Sequence, residues 1–151
     1  MKYWLMKSEP DSYSIDDLKQ DKTTLWTSIR NYRARNIMRD EMKPGDLFLF
    51  YYSMSKPSGV IGIGEVLENN IPDETALNKK DDYFDPKATK EKNPWVSPRV
   101  KFVEKFKRIV TLDEIKKEKR LADMILLKIP RLSVQPVTKE QFELICKMSR
   151  T

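Results

Sequence analysis

Apolar positions along the chain gather into short runs separated by turn-forming residues. Residues 2–7, apolar and aromatic between two lysines, read as a first strand that Pro10 closes. Ser14 before Ile15, Asp16, Asp17 and Leu18 predicts a short helix, with Ser14 as N-cap and acids in the first turn. From Ile29 to Met38 the apolar positions Ile29, Tyr32, Ile37 and Met38 fit a helical period loosely, with arginines on the other side. Lys43-Pro44-Gly45-Asp46 marks a turn, and Leu47–Tyr52 after it is a buried strand. Pro57-Ser58-Gly59 turns the chain into a strand over Val60–Leu67, whose Gly62 and Gly64 point to a bend or a close approach.

Residues 68–98 change character. They are rich in Asp, Asn, Lys and Pro, carry Tyr83, Phe84 and Trp95, and read as a long irregular loop of the functional kind. Arg99 to Phe106 alternates like a half-buried strand. Thr111–Glu114 and Thr138–Gln141 have capping-box spacing for two helices. Met124–Ile129 is apolar between them, and Arg131–Pro136 reads as a returning strand. The pattern predicts one α+β domain over residues 1–151, with mixed strands in a small pseudo-barrel flanked by short helices.

Composition narrows the chemistry. Hydrophobic residues make up 39% of the chain and aromatic residues 10%, which separates it from disordered sequences. There is no histidine, so the usual general base and commonest metal ligand are missing. Cys146 is the sole cysteine, which excludes an intrachain disulfide or a Cys-rich zinc site. A reduced intracellular setting is expected, cytoplasmic or, in a eukaryote, nuclear. No apolar run approaches the ~20 residues that cross a bilayer, and the N-terminal run is too brief for a signal peptide. No metal, cofactor or membrane partner is expected.

The net charge of +6 is unevenly placed. Residues 1–98 hold 15 basic and 16 acidic side chains, whereas residues 99–151 hold 14 basic and 7 acidic. Within the first part, Arg30, Arg33, Arg35, Arg39 and Lys43 crowd one short stretch, interleaved with Asn31, Tyr32 and Asn36. Two basic regions in a small domain attract phosphates if they merge into one face. Lys116, Lys117, Lys119 and Arg120 fit a solvated helix face equally well.

Several enzyme signatures fail. Gly62-Ile63-Gly64 lacks a third glycine and sits inside a strand, and no Walker loop is present. Without histidine, a serine nucleophile would need a lysine base, and the adjacent Lys7 and Ser8 point to opposite faces of a strand. What remains is an aromatic and amide-rich set: Trp26, Arg30, Asn31 and Tyr32 near the arginines, Tyr51, Tyr52 and Ser53 at a strand end, Ser133 and Gln135 on another strand. An unpaired base needs an aromatic surface for stacking and amides or hydroxyls for its edge. Stacking contributes ~1–3 kcal/mol per base, enough for two rings to anchor a nucleotide.

Taken together, Tyr3-Trp4-Leu5-Met6-Lys7-Ser8-Glu9-Pro10, Trp26 with Arg30-Asn31-Tyr32-x-Ala34-Arg35-Asn36, Gly45-Asp46-Leu47 with Phe50-Tyr51, and Arg131-Leu132-Ser133-Val134-Gln135-Pro136-Val137 resemble the EVE domain family. The likeness runs in order from residue 2 to about residue 145 and is looser over 85–98. It implies a PUA-like fold, related to YTH and ASCH domains, and a reader of modified bases such as 5-methylcytosine, without catalysis. Carried onto this chain, it points to Lys7, Ser8, Trp26, Arg30, Asn31, Tyr32, Tyr51, Ser53, Ser133 and Gln135 as the pocket. Thr27-Ser28 stands where relatives often have Asp-Gly, and Tyr52 where histidine is frequent; both bear on the pocket rim.

The resulting expectation is a nucleic-acid-binding module, DNA or RNA. Trp26 and one tyrosine stack an extruded base, and Asn31, Ser133 and Gln135 read its edge. Arg33, Arg35, Arg39, Arg99 and Lys101 hold phosphates. The alternatives are an enzyme acting on RNA or a nucleotide through Lys7, Glu9 or an Asp, and a protein-interaction or small-molecule-binding module.

Overall fold

The computed structural model describes residues 1–151. The strands are β1 (Tyr3–Ser8), β2 (Thr23–Leu25), β3 (Leu47–Tyr52), β4 (Gly59–Glu68), β5 (Arg99–Thr111) and β6 (Val134–Val137). The helices are α1 (Ile15–Asp21), α2 (Tyr32–Asn36), α3 (Leu112–Lys117), α4 (Ile125–Lys128) and α5 (Lys139–Met148). One mixed sheet has the order β2-β5-β4-β3-β1-β6, with β1 and β3 parallel and all other neighbours antiparallel. Its edges β2 and β6 do not pair with each other, so the pseudo-barrel stays open.

Alternation along the central strands divides the core in two. Trp4 and Met6 on β1 and Phe48 and Phe50 on β3 face one layer, with Ile15, Leu18, Trp26 and Met38. Leu5, Leu49 and Tyr51 face the other, with residues of α3, α4 and α5 such as Ile115, Leu126 and Phe142. Burying each such large apolar side chain contributes roughly 1.5–3 kcal/mol. Gly64 makes the first layer possible. A Cβ there would lie 2.2 Å from the Phe48 ring, so only glycine lets that ring lie against β4.

The helix starts follow their caps. Ser14, Thr111 and Thr138 each accept from the third residue of the helix, whose side chain returns to the cap N–H. Between Ile29 and Met38 the expected helix is shorter and irregular: α2 begins at Tyr32 and runs into a wider π-helical turn, Ile37–Glu41. That change of pitch is why the apolar spacing fitted a regular helix loosely. β2 escaped the sequence reading because Thr23 and Thr24 carry no apolar signal; pairing with β5 makes it a strand. No helix is long and apolar enough to cross a membrane.

Candidate functional site

Neighbouring strands β6, β1 and β3 bring Ser133, Ser8 and Ser53 to one end of the sheet. The Ser53 N–H donates to the Ser8 carbonyl at 3.0 Å and the Lys7 N–H to the Ser133 carbonyl at 2.9 Å, so pairing continues past the regular strands. All four residues line an open cavity of about 700 Å³, whose other walls come from Glu9, Ser12, Tyr13, the Thr24–Ile29 segment, Met54, Tyr83, Pro130 and Arg131. That volume lies in the range of small-molecule and cofactor sites.

Trp26 is 6% exposed and borders this cavity. Its ring stands edge-on to Phe48 and Phe50 at centroid distances of 5.5 and 5.3 Å. Trp4 and Trp95 donate their indole N–H groups to Asp46 and Asp85 at 2.9 and 2.8 Å. The Trp26 indole N–H has no acceptor within the chain and is not a sealed atom, whereas the Trp26 backbone N–H donates to the Pro98 carbonyl at 2.8 Å. The indole N–H is a fixed donor available to a ligand.

Asp73 holds the cavity walls together. Its side chain is fully buried, with Oδ2 accepting from the Ser28 N–H at 2.7 Å and Arg30 Nη1 at 3.0 Å. Oδ1 accepts from the Thr75 N–H at 3.0 Å and the Thr75 hydroxyl at 2.6 Å. Burial pushes the Asp73 carboxyl upward, but the bonds from Thr75, Ser28 and Arg30 outweigh it and leave the group below its ordinary range. Arg30 also donates to the Tyr83 carbonyl at 2.8 Å and lies 5.3 Å from the Trp95 ring centroid. The irregular loop is therefore anchored to the Trp26–Arg30 segment. Ser28, between them, has a φ of 75°, where glycine is favoured.

Lys7 is half-buried, and burial pulls its ammonium below the ordinary lysine range. It donates to the Pro130 carbonyl and lies 5.4 Å from the Tyr51 ring centroid. No carboxylate pairs with it. On its far side a second cavity, about 440 Å³, is lined by Tyr51, Leu112, Lys116, Leu126 and Leu127. The two cavities share Lys7, Ser53, Met54 and Pro130.

The expected pocket is thus only partly assembled. Lys7, Ser8, Trp26, Ser53 and Ser133 meet at the larger cavity. Tyr51 does not join Trp26, because it packs in the opposite core layer. Tyr32 is exposed and lies 4.8 Å from the Trp95 ring, away from the cavity lining. Asn31 is the N-cap of α2, its Oδ1 accepting from the Ala34 N–H at 3.0 Å. Gln135 is fully buried, its Nε2 donating to the Leu132 carbonyl at 2.7 Å while Oε1 is unpartnered. Arg30 is spent on Asp73, Thr75 and Tyr83. Asn31 thus serves as a helix cap and Gln135 Nε2 as a buried loop brace.

The expected phosphate set is dispersed as well. Arg39 pairs with Asp40 at 2.7 Å, Arg99 with Glu68 at 3.1 Å and Lys101 with Glu65 at 3.9 Å. Arg35 donates to the Pro94 carbonyl at 2.9 Å and its guanidinium lies 5.1 Å from the Tyr32 ring centroid. Arg33 is exposed. None of the five lines the larger cavity, whereas Arg131, which the charge count did not single out, does. Asp73, Tyr13 and Tyr83 were also missed. An aspartate gives no sequence signal of burial, and only the loop's aromatic content hinted at Tyr83. No group of three or more Cys, Asp or Glu side chains is arranged to hold a metal ion.

An open mixed sheet flanked by short helices, with a ligand-sized cavity at the ends of its central strands, agrees with the PUA-like fold that the resemblance implies. The chain belongs to the EVE domain family, whose sequence pattern matches residues 2–148. It is 37% identical to human thymocyte nuclear protein 1 over 166 residues, spanning 97% of this chain and 73% of that protein. A solved protein from Leishmania major is 49% identical and superposes with a TM-score of 0.97, covering 99% of this chain and 95% of that one. Human THYN1 protein, solved in complex with DNA containing 5-methylcytosine, is 34% identical with a TM-score of 0.94, covering 100% of this chain and 99% of that one.

Proposed function

We propose that residues 1–151 act as one nucleic-acid-binding EVE domain that holds a modified base, 5-methylcytosine or a close relative, in the cavity beside Trp26. The observation that carries this reading is the cavity itself. It offers a fixed aromatic edge, an indole N–H without an internal acceptor and three serine side chains, in a fold shared with a protein solved on 5-methylcytosine DNA. Tyr83 supplies flat aromatic surface for the base, Trp26 a fixed ring edge, and Ser8, Ser53 and Ser133 face its polar edge. Ser8 donates its hydroxyl proton to the Tyr13 carbonyl at 2.7 Å, which leaves its lone pairs to accept. Lys7 and Arg131 on the wall, and Arg33, which is exposed and in no ion pair, supply positive charge for phosphates.

Binding without turnover fits the same side chains. Lys7 is turned to the Pro130 carbonyl and Ser8 to the Tyr13 carbonyl, so these two neighbours are not paired as base and nucleophile. An ASCH protein from Zymomonas mobilis, 12% identical with a TM-score of 0.55, shares the fold alone. The setting we infer is an intracellular compartment that holds nucleic acid. Trp26→Phe tests the site: packing against Phe48 and Phe50 is largely kept while the indole N–H is lost. Affinity for the modified base should fall about tenfold, the equivalent of a hydrogen bond of ~1.4 kcal/mol. Unchanged preference in a folded Trp26→Phe protein refutes this cavity as the base site.

A further inference from the structure

The β3–β4 turn projects Met54 from the lip that the two cavities share. Met54 is 83% exposed, more than any other large apolar side chain in the chain. Isolated surface apolar residues are ordinary, but this one is held in place. Its φ is 53°, a left-handed conformation that a methionine adopts only at a cost. The turn beneath it is braced. Ser53 donates its N–H to the Ser8 carbonyl at 3.0 Å, and the Ser58 hydroxyl donates to the Ser55 carbonyl at 3.1 Å. The Ser55 hydroxyl donates to the Pro57 carbonyl at 3.0 Å. Neighbouring Ser53, Ser55 and Lys56 are polar, so a single apolar tip stands in a polar rim.

A base in a duplex reaches a cavity only by leaving its stack, and the vacated space costs unstacking energy. Side chains that fill such gaps are apolar wedges, methionine among them, and methionine is unbranched and adapts to irregular spaces. Met54 sits where such a side chain must sit: on the lip of the cavity that receives the base, pointing to solvent on a braced turn. We propose that Met54 is that wedge. As the modified base enters the cavity beside Trp26 from a double-stranded target, the Met54 side chain fills the place it leaves. The inference rests on the base-binding reading above and deepens it by naming duplex nucleic acid as the target class.

The test compares the full chain with Met54→Ala and Met54→Leu, none of which removes buried packing; equal melting temperatures check this. Each protein is titrated with a duplex carrying one 5-methylcytosine and with the same modified strand alone. A 2-aminopurine placed beside the modified base reports its unstacking. Met54→Ala should lose about tenfold or more in duplex affinity and several times less on the single strand, where only a cavity wall is trimmed and no vacated stack is left unfilled. The 2-aminopurine signal on binding should shrink, and Met54→Leu should restore both. Wild-type duplex affinity in Met54→Ala, or equal losses on duplex and single strand, overturns the wedge while leaving the base-binding reading intact. A wild-type protein that prefers the modified base on neither probe overturns that reading, and the wedge with it.

Discussion

Ser28 and Lys7 show how single residues set the terms of this site. Ser28 occupies a backbone conformation that favours glycine, and its N–H is held by the buried Asp73 carboxylate. Ser28→Gly should relax that strain and raise stability by up to about 1 kcal/mol, measured by denaturant unfolding. A β-branched Ser28→Val should lower it and widen the cavity rim. Lys7 is a base whose value in the folded protein lies below that of the unfolded chain. Between those two values the folded state binds fewer protons, so stability rises with pH across that window, up to the ordinary lysine range. Phosphate affinity should run the other way, falling as pH climbs through the lowered Lys7 value. Lys7→Arg, which stays charged, should flatten that fall in an anisotropy titration carried out above neutrality.

At the scale of elements, the loop of residues 68–98 and the Trp26–Arg30 segment act as one wall because Asp73 ties them. Its carboxyl sits below its unfolded value, so its contribution is complete above about pH 3.9 and is lost as pH falls through the lower folded value. Asp73→Asn leaves Arg30 without its buried partner and should cost about 3–5 kcal/mol. A variant that keeps wild-type stability would contradict the role assigned to this carboxylate. β4 contributes through an absence: Gly64→Ala drives a methyl into the Phe48 ring and should cost about 1–3 kcal/mol while displacing Trp26. These elements also show what a sequence can express. β1, β3 and β4 are legible because apolar runs bounded by Pro and Gly have few other readings, two helices are legible from capping-box spacing, and α1 from Ser14 as its N-cap with acids in the first turn. Alternation along β3 separates Tyr51 from Phe48 and Phe50, but only the folded chain places Trp26, which lies outside the strands, on the side of those two rings. Asn31, Gln135 and Arg30 also serve as a cap, a buried brace and an ion-pair clamp, roles that depend on backbone geometry and partners the residue types do not reveal.

For the whole molecule, the +6 is a net count, and three of the cations expected to hold phosphates, Arg39, Arg99 and Lys101, are each paired with a carboxylate. Non-specific affinity should fall with rising salt, but with the shallow slope of a few phosphate contacts made by Lys7, Arg131 and Arg33. Base discrimination comes from the cavity and should survive salt that weakens overall binding. The most direct measurement is therefore a titration of the full chain with matched oligonucleotides that differ in one cytosine, plain, methylated or hydroxymethylated, at low and moderate salt. The account requires one modified base to bind about tenfold or more tightly than the plain one, with that ratio held as salt rises. Equal binding of all three, weakening together with salt, would contradict it and leave a basic surface with no base reading.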